Sequence, residues 1–340
     1  MSTLLMFVDG VGVGVDDASD NPFAVGEIRH LAPLAGRRPE DGASFRPLDA
    51  TLGIPGLPQS ATGQTTLFSG VNAAKAIGAH HPGLPGPTLQ AILREHSLFT
   101  KLLAVGAKPT FANVFTRRHL DARRPRFGAT THMVMASGVP LRLIEDDEDR
   151  EASLSHDFTG EWMAERGYPV KTRTAAEAAL VLAGLLAAHD LVLYEYFLTD
   201  LAGHRGTREQ RFEQARRVET LLGAALSSID LSQHRVVVVS DHGNLEEAHH
   251  DGHTLNPVPL LAWGRSADAL IDAVTGMEAL TPALVQDLSR PNLEEKGECP
   301  LGQVQAEALD ELEQAAGRDA QINDGRHRDR EHDAERRRQR

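Results

Sequence analysis

Three nearly continuous apolar runs, at residues 191–198, 236–239 and 258–263, constrain the fold more than any other feature of the chain. Each is strand-sized, and a run without polar alternation is what a strand buried on both faces requires. Helical patterns separate them. Residues 175–189 place Ala and Leu at helical spacing. Residues 207–229 carry Phe212, Ala215, Val218, Leu222, Ala225 and Ile229 on one face of a long amphipathic helix. Buried strands alternating with helices predict an α/β chain with a mostly parallel sheet sandwiched by helices.

The remaining pattern fills in around that core. Residues 4–8 form a first short strand, followed by Asp9 and the turn-forming Gly10, Gly12 and Gly14. The GVGVG run lacks the third glycine and the following helix of a dinucleotide fingerprint. Residues 33–59, rich in Pro and Gly, read as a long loop, and 60–76 as a helix capped by Ser60. Residues 111–114 are a short strand, and 266–288 hold one more helix. Residues 116–172 are irregular, basic at Arg117, Arg118, Arg123, Arg124 and Arg126 and then acidic, as expected of an inserted cap. The expected organisation is a discontinuous core of residues 1–115 and 173–290, the cap, and a mostly disordered tail at 291–340.

Charge and cysteine content then exclude whole classes. With 35 basic and 48 acidic side chains the chain carries a net charge of −13, which argues against nucleic acid as the main partner. A single cysteine, Cys299, excludes a disulfide scaffold and a thiolate zinc site. The opening MSTLLMFVDGVG has no basic leader, and no apolar stretch reaches the ~20 residues that span a bilayer. A cytoplasmic setting is expected.

Acidic and histidine side chains gather where the strands meet the loops, the edge at which open α/β sheets bind ligands. Asp9 follows the first strand. Asp200 and His204 follow the apolar strand four residues apart, so on a helical turn they share one face. Asp241 and His242 end the four-valine strand. His253, after His249 and His250, precedes the next strand; His249 and His250 are read as solvent-facing. Three carboxylates and three imidazoles suit two divalent ions such as Mn²⁺ or Zn²⁺. Two such ions about 3.5–4 Å apart clamp an in-line phosphoryl displacement. Ser60, Thr62, Thr65 and Thr66 offer hydroxyls at a helix start, where free N–H groups favour phosphate oxygens.

The ordered set VDGVG, PQSATGQTTLFSGVNA, TDLAGH, SDHGN and HTLNPVP resembles the alkaline phosphatase superfamily of metalloenzymes, nearest to cofactor-independent phosphoglycerate mutase and phosphopentomutase. The resemblance runs from Asp9 to about Gly264, outside the insert. It implies an alkaline-phosphatase-like core, one metal held by Asp9, Asp241, His242 and the nucleophile, and the other by Asp200, His204 and His253. The superfamily's nucleophile opens a helix ten residues before a glycine, a spacing that Ser60 and Gly70 fit.

The insert is far smaller than the transferase domain of those mutases, and QSATGQT differs from their GNSE-type nucleophile segment. The expected activity is therefore a phosphatase or phosphodiesterase acting on a small phosphorylated substrate through a phosphoserine. The alternatives are a phosphomutase on phosphoglycerate or a sugar phosphate, and a catalytically idle metal-binding interaction protein. The arginines at 117–126 are read equally as an anion clamp or a solvated loop, and those of the tail as solvated.

Overall fold

Odd and even residues of the first strand face different helices, and that alternation organises the molecule. In the computed structural model, which describes residues 1–39 and 41–289, β1 (Thr3–Val8) is buried along its whole length. Leu4, Met6 and Val8 join one apolar cluster, while Leu5 and Phe7 join the other. A strand clothed on both sides by helices has no polar face. The expected tail and Cys299 lie outside the described residues.

The strands that follow are β2 (Ser44–Leu48), β3 (Pro109–Phe111), β4 (Val114–Phe115) and β5 (Arg142–Leu143). β6 (Leu191–Tyr196), β7 (Arg235–Val239) and β8 (Val258–Gly264) complete the set. The helices begin with α1 (Ser60–Ser69), α2 (Ala73–Ile77), α3 (Pro87–His96) and α4 (Leu98–Ala104). Short α5 (Arg117–Leu120), α6 (Ala129–Ser137), α7 (Asp147–Glu151) and α8 (Glu161–Ala164) occupy the insert. Then come α9 (Ala175–Ala188), α10 (Leu198–Arg205), α11 (Arg208–Ser228), α12 (Ala267–Ala273) and α13 (Leu280–Leu288). Met1–Lys75 and Ala79–Arg290 cluster as one compact unit.

Six strands form the central sheet in the order β2-β8-β7-β1-β6-β3. β7, β1, β6 and β3 run parallel. β8 runs antiparallel to β7, with Leu260 opposite Val239, so its start meets the end of β7. This reversal brings a loop before a strand to the same edge as loops after strands. α9 and α11 cover one face of the sheet, and α1, α3, α4, α6, α12 and α13 the other. Phe7 meets Phe68 of α1 edge-on, ring centroids 5.3 Å apart.

Several sequence expectations are corrected. The helix at 60–76 breaks at Gly70, whose φ of +75° ends α1 with its N–H bonded to Thr66 O. Its cap residue is Gln59, and Ser60 is the first helical residue. The loop at 33–59 contains β2, an edge strand paired with β8 that tolerates Pro47 because it is an edge. Residues 111–114 split between β3 and β4. Residues 266–288 form two helices and a short 3₁₀ turn rather than one helix. Within 116–172, α6 packs Ala129, Met133 and Val134 into the cluster that holds Phe99 and Phe111, while Val114, Ile144 and Met163 form a small cluster of their own.

Candidate metal centre

Five chain segments deliver their polar groups to the carboxyl edge of β1, β6 and β7. Asp9 leaves β1 and Asp241 leaves β7, both buried. α10 sets Asp200 and His204 one turn apart on a shared face, with Oδ1 and Nε2 3.4 Å apart. His253 arrives from the loop before β8. Ser60 opens α1, whose helix reaches the loop after β7 so closely that a Cβ on Gly63 would lie 2.6 Å from the Asp241 carbonyl oxygen.

His204 and His253 meet at their Nε2 atoms, 3.0 Å apart. His204 Nδ1 contacts Asp251 O at 2.8 Å, and His253 Nδ1 contacts Pro58 O at 2.7 Å. A carbonyl only accepts, so each Nδ1 carries the proton and each Nε2 of a neutral ring presents a lone pair. The two lone pairs face each other, with Asp200 Oδ1 3.4 and 3.8 Å away. Burial foremost, and the neighbouring His242, push His253 down to about 4. Three acceptors converging on one point fit a cation.

His242 builds the adjoining group. Its Nε2 lies 3.0 Å from Ser60 Oγ, 3.4 Å from Asp9 Oδ1, 3.5 Å from Asp241 Oδ2 and 4.0 Å from Asp200 Oδ1. Asp241 and His242 are adjacent in sequence, yet the bent loop after β7 sends both into the site. Asp9 Oδ1 is buried without a hydrogen-bond partner. Burial, and after it Asp241 and Asp200, hold the Asp9 carboxyl well above the usual carboxylate range. An orphaned buried carboxylate oxygen beside an imidazole nitrogen and a serine hydroxyl fits a second cation, with oxygen and nitrogen donors only.

All seven sequence-derived residues, Asp9, Ser60, Asp200, His204, Asp241, His242 and His253, thus meet at one place. The rival hydroxyls turn away: Thr62 donates to Gln59 O, Thr65 to Ala61 O and Thr66 to Thr62 O. His249 pairs with Asp20, and His250 with Glu247.

The supporting residues were not read from the sequence. Gln64 donates its amide to Asp9 Oδ2 at 3.1 Å and to Asp241 Oδ2 at 3.0 Å. It stands four residues after Ser60, so the helical face carried the signal. Asn244 Nδ2 donates to Asp200 Oδ1 at 2.9 Å. Buried Glu246 accepts from the backbone N–H groups of Gly12 and Asn244, both at 2.8 Å, tying the loops after β1 and β7 together.

The site opens into a cavity of about 1040 Å³. Of the five arginines at 117–126, Arg118 and Arg126 line it and Arg117, Arg123 and Arg124 do not. Glu195, inside the apolar β6, also reaches it. Both Glu195 carboxylate oxygens accept from the Thr130 hydroxyl at 3.1 Å, and burial pushes the group up to about 7. His156 stands 3.9 Å from Glu195 Oε2 and is pushed down to about 4 by burial.

Residues 165–315 match the family model described as the Metalloenzyme superfamily, a span that includes Asp200, His204, Asp241, His242 and His253. A 2,3-bisphosphoglycerate-independent phosphoglycerate mutase of Dinoroseobacter shibae is 31% identical over 117 residues. That match covers 32% of this chain and 23% of the mutase, so the chain matches under a quarter of that relative's length.

Among solved structures, a protein from Pyrococcus horikoshii superposes with a TM-score of 0.50 at 15% identity, covering 88% of this chain and 98% of its own. A cold-active alkaline phosphatase from Shewanella sp. gives 0.50 at 12% identity, covering 85% of this chain and 100% of its own. At those identities the two structures establish the fold alone. Residues 165–315 thus resemble the Metalloenzyme superfamily in sequence, and the fold is similar to that of the Shewanella alkaline phosphatase and the Pyrococcus horikoshii protein.

Proposed function

We propose that the protein is a two-metal phosphoryl-transfer enzyme, a phosphatase or phosphodiesterase that works through a phosphoserine at Ser60. The observation that carries this reading is the convergence of lone pairs from His204 and His253 beside Asp200, next to a serine hydroxyl 3.0 Å from His242. Asp200, His204 and His253 would hold one ion, and Asp9, Asp241, His242 and Ser60 the other. Asp200 Oδ1 lies within 4.0 Å of all three imidazoles, so this carboxylate stands between the two groups. Mn²⁺ and Zn²⁺ both suit the donors. Two divalent ions supply charge neutralisation at the phosphoryl oxygens and lower the proton affinity of nearby hydroxyls.

The residues do the rest. Ser60 Oγ loses its proton to solvent and forms a bond to phosphorus, while the bond to the ester oxygen breaks on the opposite side and that oxygen takes a proton from solvent. Water then cleaves the phosphoserine, releasing phosphate and restoring the hydroxyl. The exposed N–H groups at the start of α1 orient the phosphoryl oxygens. Gln64 holds Asp9 and Asp241 in register throughout.

A small phosphorylated molecule is the substrate. A phosphomutase is the second reading, favoured by the similarity to proteins named as phosphoglycerate mutases. No helix among the described residues is long and apolar enough to cross a membrane. The deciding assay loads the protein with Mn²⁺ or Zn²⁺ and follows phosphate release from phosphomonoesters and diesters. Phosphate release that Ser60→Ala and Asp241→Asn each abolish supports the hydrolase. An isomeric phosphate without release selects the mutase, and full activity in both variants rejects the mechanism.

A further inference from the structure

The cavity into which the candidate site opens has room for something larger than a phosphate. At about 1040 Å³ the cavity stands at the upper end of pockets that bury drug-sized ligands, about 300–1,000 Å³. Phe115, Phe197 and Tyr168 line it, and so does Trp162, which is 46% exposed. The Arg166 guanidinium lies 3.8 Å from the Trp162 ring centroid and donates to the Trp162 carbonyl at 2.8 Å, which fixes one face of the indole. Arg118 and Arg126 line the same space, and among the described residues neither has a side-chain ion-pair partner. A small polar acid leaves the aromatic surface wet. A planar aromatic group joined to a phosphate chain covers the indole and gives the arginines oxygens to bind.

We propose that the substrate is a nucleotide-like phosphoester: a planar aromatic group carrying more than one phosphate, with Trp162 as the stacking platform that sets specificity. The proposal rests on the phosphoryl-transfer reading above. With a nucleoside diphosphate, the Ser60 oxygen forms a bond to the terminal phosphorus. The bond to the bridging oxygen breaks, and that oxygen leaves on the nucleoside monophosphate. Water then returns the phosphoryl group as inorganic phosphate.

Fluorescence and kinetics on the metal-loaded protein test it. The chain has two tryptophans, and Trp263 is buried in the core, so a quench by a stacked base comes from Trp162. ADP is expected to quench wild-type emission saturably and to leave Trp162→Ala unquenched, while glycerol 3-phosphate quenches neither. Loss of base stacking is expected to raise KM for ADP about tenfold in Trp162→Ala, with Trp162→Phe restoring most of it. The effect should fall on KM rather than kcat.

Turnover of glycerol 3-phosphate with neither quench nor turnover by ADP overturns this proposal and leaves the hydrolase intact. A Trp162-dependent quench by ADP with no turnover of any phosphoester keeps the nucleotide site and rejects the hydrolase. An unchanged KM for ADP in Trp162→Ala overturns the role of Trp162.

Discussion

The imidazole of His242 lies stacked on that of His253, with centroids 3.7 Å apart and planes 19° from parallel. The two rings belong to the two proposed ligand groups, and in the stack each ring's position depends on the other. His253→Ala is expected to remove one ion and to weaken binding of the other by about 10–100-fold, the range typical of groups that orient a ligand. Metal analysis by mass spectrometry after dialysis reads this out. Retention of two tightly held ions per chain contradicts it.

Among the described residues, Gln64 is the one neutral side-chain donor shared by Asp9 and Asp241. Gln64→Ala leaves two buried carboxylates facing each other without that amide. Metal affinity or activity is expected to fall about 10–100-fold while the circular dichroism spectrum is unchanged. Titration with Mn²⁺ against a competing chelator measures the change.

Gly63→Ala tests how closely α1 must approach the loop after β7. The added Cβ would sit 2.6 Å from a backbone oxygen, which cannot swing aside as a side-chain tip can. Overpacking of this kind costs about 1–3 kcal/mol. The expected result is a lower unfolding midpoint together with loss of activity, because the displaced loop carries Asp241 and His242. A fully active variant would show that the approach is not needed.

The parallel core was legible because residues 191–198 and 236–239 have no polar face, and double burial is the physical reason for that pattern. The candidate ligands were legible because Asp9 and Asp241 follow strands, Asp200 and His204 share a helical turn just after β6, and His253 precedes β8. β2 was not, because its residues are only half-buried and its place comes from pairing with β8 rather than from its own pattern. The direction of β8 was not legible either, since strand sense is set by the connection and not by apolarity. Glu195 was hidden inside an apolar run, its carboxylate satisfied by Thr130 from a distant helix.

Glu195 gives a pH signature. Burial raises its proton affinity in the folded chain from the ordinary 4.5 to about 7. Its contribution to stability is therefore complete below about pH 4.5 and lost as the pH rises through about 7. In chelator-treated protein, wild type is expected to lose about 3 kcal/mol relative to Glu195→Gln across that window. Denaturant unfolding of both proteins at several pH values checks it, and parallel pH profiles contradict it.

The position of β1 in the sheet sets the order in which the protein can become itself. β1 lies between β6 and β7, whose residues follow roughly 190 and 230 positions later. Until both emerge, a fully apolar strand and Asp9 beside it have no permanent neighbours. Such distant pairing folds slowly and leaves a long interval of exposure. A nascent chain stopped short of residue 253 would hold six of the seven candidate site residues and lack His253. Synthesis thus completes the candidate ligand set only after both strands that flank β1 have been made.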